Sequence, residues 1–250
     1  MIKTRIIPCL DIKNGRVVKG VNFGNLVDAG SPIYQAEFYY KEGADEICLL
    51  DISASIEKRE ILFDIVFEVS KKCFIPFSVG GGVSKIEDFS RLMLCGADKV
   101  SVNSAAIINP ELISSASNKF GSQAVIIAID VKKKGDKYEV FSNGGTKSTG
   151  LNAVEWAVKA QSMGAGEILL TSMDMDGTKN GYDLELIKNI SSKLSIPVIA
   201  SGGVGSLNDL KNGINSGASA VLAASIFHFR EYTIKQAKDF LSKEGIEVRN

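Results

Sequence analysis

Two aspartates stand at matching places in two halves of the chain. Asp11 closes the apolar run Ile7-Pro-Cys-Leu-Asp11, and Asp130 closes Ile127-Ala-Ile-Asp130 about 120 residues later. A carboxylate at the end of an apolar strand is costly to desolvate, so it is usually kept there for its chemistry. Two such groups facing one pocket can divide acid and base work if their surroundings separate their pKa values. Taken singly, either could instead be a structural cap on a loop, the less favoured reading.

Glycine runs accompany both aspartates. Gly80-Gly81-Gly82 and Gly202-Gly203 each follow an apolar stretch, and each has a companion about 20 residues on, Asn103-Ser104 and Ala224-Ser225. Glycine lets main-chain N–H groups approach an anion closely, so two such runs with matching neighbours point to two phosphates. Asp174 and Asp176, followed by Gly177, add carboxylates to the same rim. Lys19 is placed to clamp a phosphate or Asp11, or else to lie in solvent.

A second set of charges belongs to the other end of the strands. Arg5, Glu46, Lys99 and Glu167 fall at or near strand starts, and Arg5, Cys9 and Asp11 share one parity along the first strand. If Asp11 faces the pocket, Arg5 faces the interior at the far end. Two positive and two negative groups there would form a self-neutralising ring; the alternative is a solvated rim. His228 and Trp156 read as packed structural side chains.

These residues repeat in phase. Leu49-Leu50-Asp51 answers Leu169-Leu170-Thr171, and Gly96-Ala97-Asp98 answers Gly217-Ala218-Ser219. The period is far longer than the roughly 20–50 residues of a solenoid repeat, so it describes two half-domains. Apolar β-rich runs near 5–11, 46–52, 76–80, 98–103, 125–130, 167–171, 197–201 and 219–224 alternate with helical patterns near 32–43, 57–72, 85–95, 110–119, 152–164, 183–193, 207–216 and 233–243. Asn109-Pro110-Glu111 suits a helix start, and Gly43, Gly96, Gly164 and Gly217 suit left-handed helix ends. Eight βα pairs in a chain of 250 residues predict an α/β protein, a (β/α)8 TIM barrel built from two homologous half-barrels. No linker or change of composition divides the chain, so residues 1–250 are expected to be one domain. Long connections follow the first and fifth strands, Lys13 to Ser31 and Lys132 to Gly150, the latter with a hairpin arm at Tyr138-Glu-Val-Phe141. Connections of that length at the C-terminal face of a barrel are often lids.

Composition excludes several classes of function. The formal net charge is zero, so no overall field draws nucleic acid or an anionic membrane. No stretch approaches the roughly 18 apolar residues of a membrane span, and no leader pattern opens the chain. Cys9, Cys48, Cys73 and Cys95 lack metal-ligand spacing with the single histidine. Reduced, packed thiols in a cytoplasmic protein are expected, with no metal and no cofactor.

The chain resembles the cyclase subunits of imidazole glycerol phosphate synthase. Arg5-Ile-Ile-Pro-Cys-Leu-Asp11, Lys19-Gly-Val-Asn-Phe23, Asp51-Ile-Ser-Ala-Ser55, Asp98-Lys-Val-Ser-Val-Asn103, Gly121-Ser-Gln123, Gly166-Glu-Ile-Leu-Leu-Thr-Ser172, Asp176-Gly-Thr178 and Ala223-Ala-Ser-Ile-Phe-His228 carry the resemblance. It implies that ammonia attacks a ribulosyl carbonyl of a substrate with a phosphate at each end, phosphoribulosyl-formimino-aminoimidazole carboxamide ribotide. The products would be imidazole glycerol phosphate and an aminoimidazole carboxamide ribotide. It further implies Asp11 and Asp130 as general acid and base, with Lys19, Thr171 and Asp176 on the substrate. Gly82, Asn103 and Ser104 would serve one phosphate, and Gly177, Gly203, Ala224 and Ser225 the other. Ammonia would come from a glutaminase partner forming a heterodimer on the lower face, near Asp98 and Gln123, through a gate of Arg5, Glu46, Lys99 and Glu167.

Two positions depart from the family's pattern. Met175 and Thr146 stand where basic residues are usual. Two other readings therefore remain: the sister isomerase of the pathway, which needs no ammonia, and a cyclase-like paralogue that only channels ammonia to a sugar-amidating enzyme. The Cys9-Leu-Asp11 and Asp176-Gly-Thr-Lys-Asn-Gly-Tyr-Asp183 contexts favour the cyclase.

Overall fold

The computed structural model describes residues 3–21, 24–54 and 61–249. Asn22 and Phe23 of the first loop, Ser55, and the expected helix start at 57–60 lie outside them.

Twelve strands form the sheet among the described residues. They are β1 (Arg5–Lys13), β2 (Arg16–Val21), β3 (Gly24–Gly30), β4 (Ile47–Asp51), β5 (Phe77–Gly80), β6 (Lys99–Val102), β7 (Val125–Lys134), β8 (Lys137–Ser142), β9 (Lys147–Asn152), β10 (Glu167–Ser172), β11 (Val198–Ser201) and β12 (Ala220–Ala223). Eight of them, in the order β10-β11-β12-β1-β4-β5-β6-β7, are parallel neighbours, and β7 pairs back to β10 to close a barrel. Closure leaves no parallel edge strand unpaired.

The helices are α1 (Pro32–Lys41), α2 (Phe63–Ser70), α3 (Ile86–Leu94), α4 (Ser104–Ile108), α5 (Glu111–Phe120), α6 (Ala153–Ser162), α7 (Leu184–Ser191), α8 (Leu207–Asn215), α9 (Ser225–His228) and α10 (Ile234–Lys243). Side chains start several of them. Asn152 accepts from the N–H groups of Val154 and Glu155, Asp183 from Leu186, and Ser206 and Thr233 form capping boxes. Gly43, Gly96, Gly164 and Gly217 all adopt positive φ just past a helix end, as expected.

Strand alternation sorts the core into two parts. Ile6, Leu10, Ile47, Leu49, Val100 and Ile127 face outward and pack under the helices with Tyr39, Phe89 and Leu92. Ile7, Cys9, Cys48, Ile126, Leu169, Ile199 and Leu222 fill the barrel interior. The parity read along β1 therefore holds: Ile7 and Cys9 are inside, so Asp11 and Arg5 stand on the inner side at opposite ends.

Both long connections are built from strands. The second is a hairpin, β8 against β9, extending β7. In the first, for which the sequence shows no strand, β2 pairs antiparallel with β1 and β3 with β2. Val17 and Val18 are both buried, and the register shift between them breaks the alternation that would mark a strand. The helices α4 and α9 lie just past the fourth and eighth expected strands, in stretches where no element is expected from sequence. Each is a single short turn, below the length at which periodicity is visible.

Candidate active site

The C-terminal ends of the barrel strands gather both aspartates on one cavity. It has two lobes, of about 120 Å³ and about 350 Å³, and Asp130, Thr171, Leu50 and Ile52 line both. The first lobe carries Asp11, Lys19, Asp176, Gly177, Gly203, Ala224 and Ser225. The second carries Gly82, Asn103 and Ser104. All the expected substrate residues thus meet at one cavity.

The two aspartates are held differently. Lys19 reaches from β2 so that Nζ lies 3.0 Å from Asp11 Oδ2 and 3.7 Å from Asp176 Oδ1. Burial alone would pull the Lys19 pKa down, but the charges of Asp11 and Asp176 outweigh it and raise it well above the ordinary lysine value. The other Asp11 oxygen, Oδ1, accepts from Cys9 Sγ at 3.3 Å. Among the described residues no cation pairs with Asp130. Its Oδ2 accepts from the Asn103 amide at 2.9 Å, and burial, reinforced by the charge of Asp176, pushes its carboxyl up to about 6. Burial also raises Asp176, against the opposing pull of Lys19. One aspartate is ion-paired and the other sits poised to exchange a proton near neutrality.

The glycine pairs are structural necessities of this rim. A Cβ on Gly81 would lie 2.0 Å from the Asp51 carbonyl oxygen, and one on Gly203 2.1 Å from that of Gly181. Both have positive φ, +92° and +104°, where L side chains are strained. Only bare backbone fits there. Asn103 does two things: it borders the second lobe and its amide orients Asp130. Ser104 Oγ accepts from the Asn143 N–H at 2.8 Å, joining α4 to the β8–β9 turn. Asp174, by contrast, points out of the cavity and accepts from the Lys133 N–H at 2.8 Å.

The opposite end of the barrel holds the charge ring. Arg5 pairs with Glu46 at 2.7 Å and with Glu167, and Lys99 Nζ lies 2.9 Å from each of the same two carboxylates. Arg5, Glu46 and Glu167 are buried. Asp98 and Gln123 are exposed at the same end, with Asp98 accepting from the Phe77 N–H at 3.0 Å. Phe74 and Leu94, in or beside the turns that enter β5 and β6, are 72% and 86% exposed.

Comparison with known proteins agrees with this geometry. The model of a family described as "Histidine biosynthesis protein" matches residues 5–233. An "Imidazole glycerol phosphate synthase subunit HisF" of Exiguobacterium sibiricum is 55% identical over 249 residues, covering all of both chains. Proteins of the same description from two strains of Dehalococcoides mccartyi are also 55% identical, over 250 residues and 99% of their length. The chain belongs to the HisF family. It is accordingly an enzyme of histidine biosynthesis, the cyclase subunit of an imidazole glycerol phosphate synthase.

Within this HisF-family chain, the two departures fall beside the site without displacing it. Met175 is half-buried, with its carbonyl accepting from the Thr178 N–H and hydroxyl, and its Cβ would crowd any side chain at position 203. Thr146 borders the second lobe and bonds the Asn143 carbonyl. Some polar residues at the cavity were not expected from sequence, Lys13 and Ser201 among them. Lys13, at the end of β1, borders the second lobe, and Ser201 borders the first. Lys13 shares the parity of Asp11, so strand alternation alone could have found it.

Proposed function

We propose that this chain, as one barrel domain, joins ammonia to phosphoribulosyl-formimino-aminoimidazole carboxamide ribotide. The products are imidazole glycerol phosphate and the aminoimidazole carboxamide ribotide. The observation that supports this reading is the cavity itself: two lobes bordered by glycines, with Asp130 shared by both and Asp11 in the first. Gly203 and Ser225 serve one phosphate, and Gly82 and Ser104, with Lys13, the other. Ammonia adds to the ribulosyl carbonyl, the adduct loses water, the former backbone is cleaved, and the imidazole ring closes. Each step moves protons at the middle of the substrate. Asp130, protonatable at about pH 6, is the group that gives and retakes a proton. Asp11, oriented by Lys19, is its opposite number. Positioned acid–base groups of this kind are worth about 10²–10⁴-fold each.

The ammonia source is a glutaminase partner in a heterodimer, docked on the lower face. Exposed Phe74 and Leu94 beside Asp98 and Gln123 support an interface there. The ring of Arg5, Glu46, Lys99 and Glu167 is the gate through which ammonia enters the barrel. The chain's single histidine bonds Tyr39 and a main-chain carbonyl, so it makes no thiol–imidazole pair of its own. Four free cysteines suit a reducing cytoplasm. Among the described residues no helix is long and apolar enough to cross a membrane.

The test is turnover of the purified chain with the bisphosphate substrate and an ammonium salt at alkaline pH, followed by substrate absorbance. Asp11→Asn and Asp130→Asn should each abolish it while leaving substrate binding intact. A folded wild-type chain that binds the substrate and does not turn it over would refute the cyclase reading and favour ammonia channelling alone.

A further inference from the structure

The pairing of β1 changes at Cys9. Its register with β12 ends at Pro8↔Ala223, whereas its register with β4 runs from Cys9↔Cys48 to Ile12↔Asp51. The segment that carries Asp11 thus extends beyond its neighbour on one flank. A buried carbonyl at that point would lack a ladder partner, which is costly. The helix α9, which follows β12 directly, supplies one: His228 Nε2 lies 2.8 Å from the Cys9 carbonyl oxygen. A carbonyl only accepts, so Nε2 carries the proton. The other ring nitrogen, Nδ1, lies 2.7 Å from Tyr39 Oη and accepts from that hydroxyl.

The chain Tyr39, His228, Cys9 ends at Asp11. Cys9 is two residues before it, on the same face of β1, and its thiol donates to Asp11 Oδ1 at 3.3 Å. Both Tyr39 and His228 are buried, at 1% and 8% exposure, and Tyr39 packs against the imidazole with ring centroids 5.7 Å apart. Burial pulls the imidazole below its ordinary pKa, and Lys19 and Arg230 add to this against the opposing pull of Asp11. The ring is a neutral, single-tautomer donor. The other half-barrel has no counterpart: Ser104 matches Ser225, so the position of His228 is taken there by Ile107. Asp130 is instead held through its own carboxylate by Asn103.

We propose that His228 is a positioning residue for Asp11, with its Nε2–H, fixed in that tautomer by Tyr39, pinning the strand end on which Asp11 stands. The inference rests on the reading of Asp11 as an acid–base group. Misplacing a reacting group by about 1 Å can cost on the order of 10²-fold. Loss of the pin should therefore lower kcat while leaving phosphate anchoring, and hence KM, little changed.

The experiment joins kinetics to nitrogen NMR. Because the chain has one histidine, its imidazole signals need no assignment. The wild-type protein should show the neutral Nε2–H tautomer throughout the neutral range, and Tyr39→Phe should give a mixture of tautomers. His228→Leu should lose roughly tenfold to a hundredfold in kcat with little change in KM. His228→Gln, which keeps a side-chain N–H, should recover most of it. A folded His228→Leu chain with wild-type kcat overturns the proposal, as does an Nδ1–H tautomer or a Gln variant as slow as Leu. If the Leu variant does not fold, Tyr39→Phe decides: reduced kcat with mixed tautomers supports the pin, and unchanged kcat refutes it. Absence of turnover by the wild-type chain is a separate outcome; it removes the acid–base reading and this proposal with it.

Discussion

Replacing Asp130 by Asn should abolish turnover and make the protein more stable, but only where the carboxyl is ionised. Burial holds this carboxyl up to about pH 6, against about 3.9 for an aspartate in an unfolded chain. The folded state therefore binds more protons than the unfolded state between those values. Stability from this group is full below about pH 4 and is lost as pH rises through about 6. Two units at about 1.4 kcal/mol each set a ceiling of about 3 kcal/mol at pH 8. Asp130 opens on a cavity that admits solvent, so about 1–3 kcal/mol is the expected range. Asparagine is nearly isosteric and its carbonyl can still accept from the Asn103 amide, so the exchange removes the charge and little else. At roughly 2–4 °C per kcal/mol for a chain of this size, the variant should melt about 2–12 °C above wild type near pH 8. Calorimetric scans of both proteins near pH 8 and near pH 4.5 check this, and the difference should shrink strongly in acid. No gain near pH 8, or an equal gain at both values, would refute the buried-charge argument.

Two further substitutions address the two ends of the barrel. Arg5→Leu leaves Glu46 and Glu167 buried with only Lys99 between them; the expected loss is about 3–5 kcal/mol, read from urea denaturation. Gly203→Ala places a methyl 2.1 Å from the Gly181 carbonyl at a φ of +104°, so KM for the bisphosphate should rise about tenfold or more as that lobe deforms. Gly135→Ala, whose Cβ would meet nothing within 4 Å, is the control and should leave KM unchanged.

The legible features were those written in periods. Eight apolar runs in phase across two halves predict the barrel, and a parity of two along β1 predicts that Arg5, Cys9 and Asp11 share the inner face. Both follow from backbone geometry, which side-chain detail does not overrule. The β2–β3 hairpin was not legible because its strands are half polar, with register shifts at Val17/Val18 and Lys19/Val21 that break alternation. His228 was read as packed, and it is, but its bond to Cys9 joins residues 219 apart in sequence. Asn103 was taken for a phosphate ligand alone. That its amide meets Asp130 depends on the pairing of β6 with β7, and no local pattern encodes that.

What the two halves share and what they do not has a physical logic. At the flanks they are nearly superimposable in chemistry. Asp88 accepts from the N–H groups of Ser84 and Lys85 to start α3, and Asp209 accepts from those of Gly205 and Ser206 to start α8. Gly81 and Gly202 both take positive φ of +92° against the strand next to them. At the centre the halves part. Asp11 lies in register with Leu50, but Asp130 lies in register with Thr171. Asn103 holds one carboxylate, while the matching position on the other side is Ala224. A lysine reaches Asp11 from β2, and among the described residues none reaches Asp130. Unlike settings allow two carboxylates to be given different tasks, one as acid and one as base. The changes at the centre lie among the immediate neighbours of the two aspartates, while each lobe keeps its glycine pair and a serine. That division matches a substrate with two similar ends and a middle at which the bonds are made and broken.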